Sequence, residues 1–133
     1  MSYTLDWYTQ DRTAILRVLQ PGWTWDDFDQ SYLEAYEMIR SVPHQVDLVS
    51  DYRDSPQPPG GGGGMIERFS IIWAQHPPNF GLFIIVGADE FQKSMGEIFT
   101  KTFGGSAVIA RYVQTIEEAE AILAQRHQSD RES

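Results

Sequence analysis

The chain has no cysteine among its 133 residues, which excludes a disulfide framework, a thiolate metal site, a thiol nucleophile and a thiol redox switch. Positive charge is scarce. Ten Lys and Arg stand against 19 Asp and Glu, for a net charge of -9, so nucleic acid and anionic membrane surfaces are disfavoured as partners. No segment approaches the roughly 18 apolar residues of a membrane span, and the N-terminal MSYTLDWYTQDR lacks the basic start and apolar run of a secretion signal. A cytoplasmic protein without membrane insertion is expected. His44, His76 and His127 share no helical spacing, and a zinc site needs at least three converging donors, so neither a metal nor another cofactor is expected. The Gly-x-Ser-x-Gly elbow of a serine nucleophile is missing too.

What is present describes a globular chain. Apolar residues make up 41% and charged residues 22%, ordinary usage for a folded domain. One α/β domain is expected over residues 1–127, with a flexible loop at 55–64 and a disordered polar tail at 128–133.

Tyr3 to Tyr8 and Thr13 to Leu19 alternate with period two, with Tyr3, Leu5 and Trp7 on one side of the first run and Ala14, Leu16 and Val18 on one side of the second. Thr9 to Arg12 supply the turn of an antiparallel hairpin. Thr24 and Asp27 form a capping box ahead of Trp25, Phe28, Tyr32, Ala35, Tyr36 and Ile39, whose spacing predicts a helix from Trp25 to Ser41. Val46 to Ser50 is expected to be a buried strand. Three prolines and the five glycines Gly60 to Gly64 follow, composition that suits a mobile loop or lid rather than a regular element. Met65 to Gln75 is expected as a helix, Leu82 to Val86 as the central strand, and Asp89 to Phe103 as a third helix. Ala107 to Val113 is the last expected strand, and a second capping box at Thr115 and Glu118 opens a final helix to about Arg126.

The order is β-β-α-β-α-β-α-β-α, which implies a mixed, mostly parallel sheet carrying an N-terminal antiparallel hairpin. In this order, and in Trp23 to Phe28 (WTWDDF), His44 to Asp51 (HQVDLVSD), Asn79 to Gly87 and Thr115 to Leu123 (TIEEAEAIL), the chain resembles the STAS superfamily. That is the fold of anti-sigma-factor antagonists and of sulfate-transporter cytoplasmic domains. More narrowly it is similar to the SpoIIAA-like group of small bacterial proteins. The resemblance implies a non-enzymatic regulatory module. In the regulatory antagonists the phosphorylated serine lies about eight residues beyond the aspartate that ends the third strand. Here that place is Pro59, whereas Ser55 comes early and is followed by Pro56, so Ser55 is expected to be a polar turn residue rather than a phosphosite.

Ligands of open α/β sheets bind beyond the carboxyl ends of the parallel strands. Trp23, Asp51, Arg53, Asp54, Gly87 and Asp89 are accordingly the expected ligand or partner surface, with Trp23 and Trp73 partly exposed. The partner is expected to be a protein, a second copy of the chain included, or a small apolar ligand, met by the strongly acidic first helix and the glycine-loop end of the sheet. The alternative is a small magnesium-dependent phosphoreceiver or hydrolase that gathers Asp51, Asp54 and Asp89 around a hard cation. Against it, Asp89 also suits a helix N-cap and Asp51 an acceptor of turn amides. The glycine run is not followed by the Lys-Ser or Lys-Thr of a phosphate loop.

Overall fold

Alternation along the first two strands is what the hairpin requires. In the computed structural model β1 (Tyr3–Trp7) pairs antiparallel with β2 (Ala14–Leu19), Tyr3 opposite Leu19 and Trp7 opposite Ile15. Residues 2–54, 64–87, 93, 94, 97 and 110–132 are described, with backbone alone at 65, 66 and 127–132. Ser55, Asp89, the expected helix from Asp89 to Phe103, Gly60 to Gly63 and the start of the last expected strand lie outside or mostly outside them.

The Thr24 hydroxyl accepts from the Asp27 amide and the Asp27 carboxylate from the Thr24 amide, so the expected capping box opens α1 (Trp25–Arg40). At its other end the Asn79 side-chain amide is within hydrogen-bond reach of the Ile39, Val42 and His44 carbonyls and ties the turn after α1 to the start of β4. β3 (Val46–Asp51) follows, then α2 (Met65–Trp73), β4 (Phe80–Val86), β5 (Ala110–Val113) and α3 (Ile116–Glu132). Thr115 accepts from the Glu118 amide at the start of α3. With no proline or glycine after it, α3 continues past its expected end near Arg126, through the stretch expected as a polar tail.

The five strands lie in the order β1-β2-β3-β4-β5, antiparallel at the hairpin and parallel elsewhere. The protein is thus α/β with a mixed sheet. Successive residues face opposite sides, and each side has its own core. On one, Ile15, Leu19, Leu48 and Phe83 pack with Phe28, Tyr32, Tyr36 and Ile39 of α1 and Ile72 of α2. On the other, Ala14, Val49, Ile84, Val86 and Val113 pack with Ala119 and Leu123 of α3. Among the described residues no helix is long and apolar enough to cross a membrane.

Ala14, Leu16 and Val18 share one side of β2 as expected, Ala14 and Leu16 packing toward α3, and the opposite trio Ile15, Arg17 and Leu19 is buried more deeply. One sequence expectation needs correction. Trp23, expected partly exposed, is only 3% exposed. It precedes the N-cap and stacks on Phe28, four residues into α1, with ring centroids 6.0 Å apart. A hydrophobic residue before an N-cap closing onto that position is a hydrophobic staple, which buries what a loop residue would expose.

Candidate functional site

The parallel strands end together, and their ends are laced by backbone hydrogen bonds. The Tyr52 amide donates to Val86 and the Gly87 amide to Val113. Asp51, last residue of β3, has a buried side chain that accepts from the Arg53 amide at 3.0 Å. It also accepts from the Arg53 guanidinium, Nε at 3.0 Å to Oδ1 and Nη2 at 2.8 Å to Oδ2. Arg53 itself is about half exposed, and its pKa stands above the ordinary value, first through the hydrogen bonds to Asp51. Gly87 lies against this pair. Its φ is +72°, and a Cβ there would sit 2.6 Å from Cγ of Arg53.

Of the expected surface, then, Asp51, Arg53 and Gly87 come together, and Asp54 is exposed beside them. Trp23 joins from below, its ring 6.1 Å from that of Tyr52. Asp89 and Ser55 lie outside the described residues. Both carboxylate oxygens of Asp51 are engaged by Arg53, so a magnesium ion there would have to displace a bidentate guanidinium. Among the described residues no three His, Asp or Glu side chains gather as a metal site would need.

Gly87→Ala tests how closely the strand ends are built. A side chain at positive φ costs about 1 to 3 kcal/mol, and the new methyl must also push Arg53 aside. Urea denaturation should show that loss, and the Arg53 amide resonance should move with it. An unchanged midpoint would mean that Arg53 is not packed against Gly87.

The feature absent from the sequence expectations is Arg17. Its side chain is wholly buried, 0% exposed, on the α1 side of β2. Nε donates to Ser31 Oγ at 2.7 Å, and Nη1 donates to Ser50 Oγ and to the Tyr52 hydroxyl, each at 3.0 Å. Aromatic rings enclose the guanidinium: its carbon lies 3.8 Å from the Tyr32 centroid, 5.3 Å from Phe28 and 5.6 Å from Tyr52. Nη2 is buried with no hydrogen-bond partner among the described residues. Burial disfavours the charged form, but the hydroxyls of Tyr52, Tyr32 and Tyr36 outweigh it and hold the Arg17 pKa above the ordinary value. The sequence did carry a signal, a lone arginine in the otherwise apolar strand AILRVL, two residues from Ile15 and from Leu19.

Tyr32 and Tyr36, beside Arg17, are perturbed in the same direction. Burial, the largest cause in each case, raises Tyr32 and Tyr36. Tyr3 is pushed up to about 12 by burial and by its hydrogen bond to Glu34, and burial likewise takes Tyr112 to about 12. A folded-state pKa above the unfolded one means that the folded chain keeps protons the unfolded chain releases. The stability tied to them is complete below pH 10 and falls as pH rises through 12. For buried Tyr32 and Tyr36 the slope reaches about 1.4 kcal/mol per pH unit each. Tyrosinate absorbance and circular dichroism should therefore change in one cooperative step above pH 10. Smooth ionisation near pH 10 with the fold intact would contradict these burials.

No family model, no curated protein and no solved structure matches the chain.

Proposed function

We propose that the protein is a non-enzymatic cytoplasmic module of the STAS, SpoIIAA-like kind that binds a protein partner or a small apolar ligand at the carboxyl ends of β3 and β4. The observation that carries this is the convergence of Asp51, Arg53, Asp54 and Gly87 where the parallel strands end, the place where open α/β sheets take their ligands. Two further points support it. The element order, a hairpin followed by alternating helices and parallel strands, agrees with the STAS arrangement through β4. The arginine at the strand end is half exposed and fixed in direction by Asp51, as a residue that greets a partner should be.

A partner captured from native extract with the wild-type chain, then titrated into labelled protein, should shift amides at Tyr52, Arg53, Asp54 and Gly87. Arg53→Glu, which reverses the charge at an exposed position, should weaken that binding at least tenfold, as truncating or reversing a contact charge does. Shifts centred on α3 instead would place the interface elsewhere. A saturable magnesium response at Asp51 and Asp54 would replace this reading with the phosphoreceiver one.

A further inference from the structure

A guanidinium carries five N–H donors, and in Arg17 three of them go to the neutral hydroxyls of Ser31, Ser50 and Tyr52. The two on Nη2 have no partner among the described residues, in a side chain that is 0% exposed. None of the four ion pairs among the described residues includes Arg17. Carboxylates are not in short supply in a chain with 19 acidic residues; among the described residues none pairs with this cation. Burying a charge without a counter-charge is costly. Contacts with the rings of Tyr32, Phe28 and Tyr52 recover part of that cost, and leave the positive charge itself unneutralised.

The position of Arg17 matters as much as its burial. It pairs in register with Ser50, one residue before the end of β3, and bonds Tyr52 just past that end, where Trp23 packs. It therefore lies beneath the strand ends where ligands of such sheets bind. We propose that Arg17 is a recognition residue for the carboxylate of a small apolar acid, held between the tyrosine hydroxyls and the aromatic rings at the carboxyl end of β2 and β3. The proposal rests on the strand-end reading above and names the ligand class for it. A monoanion is favoured over a phosphate because a single buried positive charge neutralises one negative charge, and a dianion would carry an unpaired charge into the core. An apolar body is favoured because the side chains packed about Arg17, Phe28 and Tyr32 among them, are aromatic.

The experiment uses the full chain with benzoate as probe, and acetate and inorganic phosphate for comparison. Benzoate should shift the Arg17 side-chain Nε–H resonance saturably and raise Tm by a few degrees at saturation, acetate should act at higher concentration, and phosphate should do neither. Arg17→Met should bind benzoate roughly ten- to a hundredfold more weakly, the loss expected for a charge-assisted hydrogen bond. If that variant does not fold, the wild-type resonance decides. An Arg17 resonance unmoved by benzoate, an equal rise in Tm for Arg17→Met, or a preference for phosphate would each overturn the assignment. Benzoate shifts at Arg53 and Gly87 with Arg17 unmoved would overturn it and leave the strand-end site standing. Partner shifts centred on α3, with benzoate still felt at Arg17, would overturn the strand-end partner site alone.

Discussion

Arg17→Ala is expected to lose about 3 to 5 kcal/mol of stability, whereas Arg17→Met should lose less than about 1.5 kcal/mol, or gain. The two substitutions separate volume from charge. Alanine empties a wholly buried position enclosed by Phe28, Tyr32 and Tyr52, and a close-packed interior collapses into such a space only in part. Methionine fills most of it with an unbranched, adaptable chain and removes a charge that no carboxylate among the described residues neutralises. One of the hydroxyls left behind keeps another bond, Ser31 donating to the Phe28 carbonyl at 3.0 Å. Urea midpoints of the two variants give the comparison. If methionine were as damaging as alanine, the bonds to Ser31, Ser50 and Tyr52 would be the reason arginine stands there, and stability alone would account for it.

The second large effect belongs to the opposite end of β3. Asp47 accepts from the Leu82 amide at 2.7 Å and from Arg126 of α3, Nε at 2.8 Å and Nη2 at 2.9 Å. The clamp is asymmetric, since the Asp47 side chain is 4% exposed and that of Arg126 33%. Arg126→Ala leaves the buried Asp47 carboxylate without its counter-charge and should cost about 3 to 5 kcal/mol. Asp47→Asn leaves an arginine that can turn outward to solvent, and its amide oxygen still serves Leu82, so about 1 to 2 kcal/mol is expected. The ordering is the test, read from urea denaturation of both variants at neutral pH. A greater loss for Asp47→Asn would mean that the bond to Leu82, not the ion pair, holds this corner. Gly81 is part of the same construction, because a Cβ there would land on the Asp47 carboxylate.

The sequence made most of the scaffold legible because its signals are local. A capping box needs residues three apart, and the run LFIIV needs no partner to be recognised as a core strand, so α1, β4 and their neighbours were found to within a few residues. Asp51 and Arg53 are likewise legible, since strand ends can be located from strands, whereas their bidentate pairing is not. The misses are tertiary. Trp23 looked like a loop residue because its burial depends on Phe28 four residues into the next helix, a staple that the spacing Trp23, Thr24, Phe28 did encode. Arg17 and Asp47 are not legible as sites because alternation and strand burial assign a residue a face and a depth without saying which partners meet its charge. Once α1, α2 and α3 close over the sheet, a charged residue in a central strand has no route to water and must find its partners inside.

The strand order has a further bearing on how the chain acquires its structure. Each strand of the β1-β2-β3-β4-β5 series pairs with the one before it, so no strand has to be inserted between two already joined. The sheet can grow from the N-terminus as the chain is synthesised. α3 comes last, and its Arg126 reaches back 79 residues to Asp47. Until it arrives, Ala14, Val49, Ile84 and Val86 present an uncovered apolar face with the Asp47 carboxylate beside it. That carboxylate keeps the exposed face hydrated while the sheet waits, as charged gatekeepers do beside unavoidable hydrophobic strands. When the final helix docks, the same group becomes the anchor that locks it down.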